Sequence, residues 1–200
     1  AVPELNLEEF KYFHALKLNL NGQNFLVSRT GWTGELGFEI YTNGPNDDYS
    51  NLWDFFMENG KNLGIMTGGL DSMGIRRIEA GILDYGTDMN RMNNPFEMGL
   101  GSFVDLTKNN FIGKEKLLHI NKEIQFYGVT CNKAIPFGGL EILENKQVVG
   151  HTTVGAFSPY LNKGIGYVLF KNRGNWLGKK LLLRNTDKTL YECAITTLPF

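Results

Sequence analysis

Residues 15–28, "ALKLNLNGQNFLVS", alternate apolar and polar positions on either side of Asn21-Gly22. A period of two marks strands with one buried face, and Asn-Gly between two such runs suits a type I′ turn, so a β-hairpin is predicted. The next stretch, "SRTGWTGELGFEIY" at 28–41, sets glycines at 31, 34 and 37 and then returns to alternation. Glycines so placed let the backbone take positive φ and admit the close approach of a bulky group. The alternation at 38–41 puts Phe38 and Ile40 on one strand face and Glu39 and Tyr41 on the other. Glu39 reads either as a solvated strand residue or as a ligand clamp.

Helical spacing follows. "NDDYSNLWDFFMENGKNLG", 46–64, predicts a helix capped by Asp47, Asp48 or Ser50. Leu52, Phe55, Phe56 and Leu63 fall near one face, and Gly60 or Gly64 ends it. "GGLDSMGIRRIEAGILDYG", 68–86, predicts a second helix with Ile75, Ile78 and Ile82 on its buried stripe, weakened by about 1 kcal/mol at Gly74. Residues 87–106 read as a loop punctuated by Pro95 and then a short strand. "FIGKEKLLHINKE", 111–123, reads as a helix with Leu117, Leu118 and Ile120 inward. Beyond Glu123 the pattern changes to short strands separated by Gly, Asn and Pro turns, which predicts a small all-β barrel or sandwich. The boundary is placed near residue 124. The linker "HINKEIQF" reads as helical and apolar, unlike a flexible Gly/Ser tether, so the barrel is expected to dock on what precedes it.

Composition narrows the function classes. Two hundred residues, 42% hydrophobic and 20% charged, suit an ordinary globular chain of one large or two small domains. A net charge of −1 gives no general attraction to nucleic acid or anionic membrane, and the apolar runs are too short to span a bilayer as helices. Cys131 and Cys193 lie far apart with no His-rich segment beside them, so no metal site is expected, and reduced thiols in a cytoplasmic protein are the preferred reading. The opening "AVPELNLEEF" has neither Met nor a signal-peptide pattern, which suggests part of a longer protein.

Several motifs fail on inspection. "GNWLGKK", 174–180, is one residue short of a phosphate loop and lacks its Ser or Thr, so it reads as a hairpin turn. The glycines at 31, 34 and 37 precede a strand, not the helix of a dinucleotide fingerprint. His14, His119 and His151 have no ligand spacing, with His119 in a helix as a surface or half-buried residue. Ser158-Pro159 lacks the strand-turn-helix setting of a nucleophile elbow. No catalytic triad is found.

Four stretches in order resemble one family. They are "SRTGWTGELGFEIY", "RRIEAGILDYGTDM", "NPFEMGLGSFVDL" leading into "FIGKEKLL", and "VGHTTVGAFSPYLNKGIGYV". Together they are similar to the carboxy-terminal half of the folate-dependent aminomethyltransferases, the glycine cleavage T-proteins and their relatives. The resemblance implies an α+β fold. Residues 1–123 would be the latter part of the folate-binding domain, a mixed or antiparallel sheet with helices, and 124–200 a small C-terminal β-barrel. It implies tetrahydrofolate as cofactor, with Glu39 holding the pterin ring and Trp32, Arg77 and Tyr85 as further cofactor-binding residues. A pterin presents two parallel donors, N3–H and the 2-amino group, and one carboxylate can accept both. The protein would position and stabilise charge while the one-carbon unit moves between donor and folate N5. The family's essential Asp lies upstream and no residue here matches it, so the chain is expected to be incomplete for catalysis, with no catalytic residue assigned in it. The implied partners are a small-molecule one-carbon donor and, as an open option, a lipoyl carrier protein, with no nucleic acid and no membrane.

One departure keeps alternatives open. Where T-proteins carry an Arg, in a pattern like "ARDSLRLEAG", this chain has Met73, while Arg77 matches the second Arg. Met offers only a soft apolar contact. "DYGTDMNRMNNPFEMGLG" is also similar to the dimethylsulfoniopropionate demethylases. The expectation from Met73 is poor use of a lipoyl-linked donor and acceptance of a small methylated onium or amine compound. The folate module of a dimethylglycine or sarcosine dehydrogenase is a further reading, and a non-catalytic folate-binding protein is the reading from another class.

Overall fold

A computed structural model of the chain describes residue 6, residues 8–42, residue 44 and residues 48–200. The chain divides into two compact units, Ala1–Met73 and Gly74–Phe200.

In the first unit the hairpin forms as its alternation requires. Strands β1, Ala15–Leu20, and β2, Gln23–Ser28, pair antiparallel with Leu20 opposite Gln23. Asn21 and Gly22 take φ of 50° and 83°, the left-handed pair of a type I′ turn. Strand β3, Glu39–Tyr41, adds antiparallel to β2, with Val27 opposite Ile40 and Ser28 opposite Glu39. One sheet face supplies Leu18, Leu20, Phe25, Val27 and Ile40 to a core shared with Phe10, Leu52 and Phe56. The last two come from helix α1, Tyr49–Gly60. Asp48 caps this helix, its carboxylate accepting from the Asn51 N–H at 2.9 Å. The alternative cap Asp47 lies outside the described residues. Leu63 was expected on the buried face but is 88% exposed. The α-helix stops at Gly60 and a 3-10 turn, Lys61–Leu63, carries the chain to a left-handed Gly64. The tighter winding rotates Leu63 off the stripe.

Helix α2, Leu70–Glu79, is shorter than its periodic pattern. Gly81 sits at φ 73°, and the Ile82 N–H donates to the Arg77 carbonyl, closing a Schellman motif. Ile78 is buried as expected, but Ile82 lies beyond the helix end. The strand expected before residue 106 is absent. Gly99 turns at φ 75°, and i→i+3 bonds at Phe103 and Val104 build a 3-10 turn, Gly101–Phe103, that uses the groups a ladder would need. Helix α3 covers only Lys114–His119, because Ile120 is extended at ψ 151°. The linker 120–125 is therefore not helical, and Leu118 is exposed instead of inward.

The remaining strands close a barrel. They are β4, Phe126–Cys131, β5, Glu141–Glu144, β6, Gln147–Ser158, β7, Lys163–Phe170, β8, Lys180–Arg184, and β9, Leu190–Thr196. The order is β4-β7-β6-β5-β8-β9, antiparallel throughout. Val129, Ile142, Val168, Leu183 and Ile195 fill the interior. The segment 134–138 crosses so close to β6 and β7 that a Cβ on Gly155 or Gly164 would lie 2.0 Å from the carbonyl oxygens of Pro136 and Ala134, so only glycine fits there. Residues 174–180 do not turn a hairpin, since β7 and β8 are not neighbours. They cross the barrel end, where Trp176 stacks on Phe170 at 4.2 Å under the Lys179 ammonium.

Within the second unit the barrel is bonded to the segment before it. The Tyr167 hydroxyl lies 3.0–3.2 Å from the carbonyls of Arg77, Ile78 and Ile82. Ser158 Oγ donates to Glu79 at 2.6 Å, and Thr153 Oγ1 to Asp88 at 2.7 Å.

Candidate functional site

Glu39 opens β3 on the sheet face opposite the core, the face the alternation assigns to it. Tyr41, two residues on and on the same face, donates its hydroxyl to Glu39 Oε2 at 3.1 Å. Thr30 Oγ1 donates to the same oxygen and also bonds the Ser28 hydroxyl. Ser28 is brought there by the ladder, which sets it opposite Glu39. Oε2 thus accepts two bonds from its own chain, and among the described residues no donor is bonded to Oε1. A carboxylate so fixed at Oε2 holds Oε1 at a defined orientation for a ligand donor.

The turn 30–37 supports this group with less strain than its glycines suggest. Only Gly34 takes positive φ, at 75°, while a Cβ at Gly31 would meet open space. Trp32 stands in the turn, 36% exposed. Phe38 leaves its ring 5.7 Å from Phe10 and remains 39% exposed.

Arg77 and Tyr85 stand on the second unit. Arg77 is buried and paired: its guanidinium donates to Asp88 Oδ2 at 2.8 Å and to the Ile82 carbonyl at 3.1 Å. Asp88, its side chain fully buried, also accepts from the Asp84 N–H and from Thr153. This arrangement locks the 81–88 loop to the barrel and leaves Arg77 bonded within the protein. Tyr85, on that loop, is 63% exposed. Burial, with Asp88 adding to it and Arg77 partly offsetting it, pushes the Tyr167 hydroxyl well above the usual tyrosine range. A second buried carboxylate, Glu97, accepts from Asn93, from the Asn94 backbone and side chain, and from Arg173 at 3.1 Å. Met73 lies on α2, 38% exposed.

Sequence reasoning placed Glu39 and Tyr41 on one face but missed that Tyr41 and Thr30 hold the carboxylate. The period of two carried the Tyr41 signal. The Asp88 partner of Arg77 had none, being eleven residues away and reached only through the Schellman turn. Among the described residues no group of three or more His, Cys, Asp or Glu is placed to hold a metal, and no helix is long and apolar enough to cross a membrane.

Comparison with known proteins extends this picture. Residues 2–108 match the family described as the GCVT N-terminal domain, and residues 125–200 match the glycine cleavage T-protein C-terminal barrel domain. A protein of Clostridium botulinum (strain Okra / Type B1) named aminomethyltransferase is 36% identical over 97% of this chain and 54% of its own length. Proteins of the same name from Caldanaerobacter subterraneus subsp. tengcongensis and Alkaliphilus oremlandii are 36% and 37% identical, each over 94% of this chain and 53% and 52% of their own lengths. The crystal structure of the glycine cleavage system aminomethyltransferase T from Bartonella henselae is similar in fold. It has a TM-score of 0.78 at 20% identity, covering 96% of this chain and 53% of that one. The chain spans about half the length of the relatives it matches.

Proposed function

The chain belongs to the glycine cleavage T-protein family, and on that premise we propose that it is the folate-holding part of a tetrahydrofolate-dependent one-carbon transferase of the aminomethyltransferase type. The observation that carries the reading is Glu39: a carboxylate on an exposed sheet face, anchored through Oε2 by Thr30 and Tyr41, with no donor among the described residues bonded to Oε1. A pterin ring offers donors that this group can accept, so the donor set fits the cofactor. With Oε2 already bonded twice, a pterin would meet Oε1 first and reach Oε2 only by sharing it with Thr30 and Tyr41. Trp32 supplies a flat apolar surface in the adjoining turn. Tetrahydrofolate supplies the acceptor for the one-carbon unit, and the protein's own residues bind and orient it. Arg77 holds the 81–88 loop, on which Tyr85 faces solvent.

Residues 1–123 are assigned to the folate-holding portion and 124–200 to the barrel. The reaction's donor is a small one-carbon compound or a lipoyl-linked aminomethyl group, and the working place is the cytoplasm, in keeping with two unbridged cysteines. A second reading rests on Met73. It stands partly open on α2 without a cationic head, which favours a small methylated donor over a charged carrier. The intact gene product decides between them. Supplied with lipoyl-linked and methylated donors together with tetrahydrofolate, it is expected to form methylene-folate from the former. Methyl-folate formed from the methylated donor alone would replace the first reading with the second, and no folate product from either would remove both.

A further inference from the structure

The two cysteines, far apart in sequence, meet across one seam of the barrel. β4 and β9 pair antiparallel with Val129 opposite Ile195 and Thr130 opposite Ala194. Continued by one residue beyond its last recorded pair, that register would set Cys131 opposite Cys193. Both side chains join Val129 and Ile195 in the same interior cluster and are 2% and 1% exposed, so both thiols face inward, as alternation from the inward Val129–Ile195 pair requires. The Cys131 thiol donates to the carbonyl of Glu192, the residue preceding Cys193, at 3.3 Å. Directly opposed residues of an antiparallel pair have Cα atoms about 4.5–5.5 Å apart, inside the range of about 4.4–6.8 Å that a disulfide spans.

We propose that Cys131 and Cys193 form a latent dithiol site that a small-molecule disulfide oxidises to an intramolecular cross-strand disulfide, stapling the first barrel strand to the last. The reaction balances as two exchanges. One thiol gives up its proton and attacks the small disulfide, forming a mixed disulfide and releasing one small thiol. The second then gives up its proton and attacks the protein sulfur of that mixed disulfide, releasing the other small thiol and closing the S–S bond. Two S–H bonds are lost, one S–S bond forms, and the oxidant leaves as two thiols. Closed packing sets the rate. Neither sulfur is reached from solvent, and burial first, with Cys131 adding to it, pushes the Cys193 thiol up to about 12, so the attacking thiolate is scarce in the closed barrel. Bridging therefore proceeds through opening of the β4–β9 seam.

The test uses the chain as it stands, incubated with oxidised glutathione at urea concentrations from none to just below the unfolding midpoint, then quenched in acid. Intact mass and a non-reducing peptide map are the readouts. The expected product is a monomer lighter by two hydrogens, with one cross-linked peptide joining Cys131 to Cys193, formed faster as urea rises and reversed by dithiothreitol. In Cys131→Ala and, separately, in Cys193→Ala, the remaining cysteine should instead accumulate one glutathione adduct, because no second thiol resolves it. A wild-type product carrying two glutathiones, or covalent dimers in place of the internal cross-link, would overturn the proposal. So would two free thiols after incubation at the highest of these urea concentrations.

Discussion

At the scale of single residues the decisive feature is how Glu39 is held. A carboxylate on an open strand would sample many rotamers, and a ligand would have to select one. Thr30 and Tyr41 remove that freedom at Oε2. Replacing Glu39 with Gln keeps the shape but turns one acceptor into a donor and removes the charge. A charge-assisted hydrogen bond contributes about 1.5–3 kcal/mol, so folate affinity of the intact product should fall by roughly tenfold or more. Titration showing affinity within about twofold of wild type would end the assignment of Glu39 to the pterin. Tyr41→Phe removes only the 3.1 Å hold and should weaken binding by a few fold, on the order of 1 kcal/mol. That loss should vanish in the Glu39→Gln background, because Tyr41 acts through the carboxylate. An equal loss in both backgrounds would show instead that Tyr41 touches the ligand itself or supports the sheet.

At the scale of elements, the end of α2 and the barrel are joined through buried charge. Arg77 and Asp88 are 8% and 0% exposed at their side chains, and removing one partner of such a pair costs about 3–5 kcal/mol because the other is left uncompensated. Arg77→Met should lower the urea midpoint accordingly. Arg76→Met, one residue away, loses a pair whose Arg side chain is 40% exposed and whose Glu79 partner, 10% exposed, keeps the bond from Ser158, and should cost less than Arg77→Met. Equal midpoint shifts for the two would contradict the buried role given to Arg77. The barrel interior also carries a pH response. Cys193 ionises at its ordinary 9.0 when unfolded but is pushed up to about 12 in the fold, and Tyr167 is shifted upward from its ordinary 10.0. Between these values the unfolded chain has lost protons that the folded chain keeps, so stability falls as pH rises from about 9 toward 12. Urea midpoints measured from about pH 8 to 11 should decline, and Cys193→Ala should flatten the first part of the decline. Midpoints independent of pH across that range would refute it.

At the scale of the whole molecule, the barrel is part of a larger compact body. Tyr167, Ser158 and Thr153 bond to residues 77–88, and Glu97 receives Arg173, so cutting near residue 124 would strip buried polar groups of their partners. Segment 64–69, by contrast, is without helix or strand, and Leu63 and Met66 are 88% and 86% exposed. Limited proteolysis should therefore cut there first and leave a resistant fragment holding both residues 74–123 and the barrel. Rapid release of a stable barrel beginning near residue 124 would show that these bonds contribute little.

The amino-acid sequence by itself determined what short-range physics controls. Alternation and Asn21-Gly22 specified the hairpin, the cap of the next helix was narrowed to Asp47, Asp48 or Ser50, of which the fold uses Asp48, and turn residues at short intervals after Glu123 announced a β-rich barrel or sandwich, which closes as a barrel. The same alternation placed Glu39 and Tyr41 on one face. Only the tertiary structure decided where the periodic runs stop and which distant residues meet. Ile82, Leu63 and Leu118 carry the right apolar character, yet a Schellman turn, a 3-10 turn and an extended Ile120 take them off their expected stripes. The loop 174–180 reads locally as a hairpin, but the strand order separates β7 from β8. Asp88 for Arg77, Thr30 for Glu39 and Cys193 for Cys131 are partners chosen by chain reversal and sheet register. No spacing along the chain encodes them, because each contact exists only once the ladders and turns have closed.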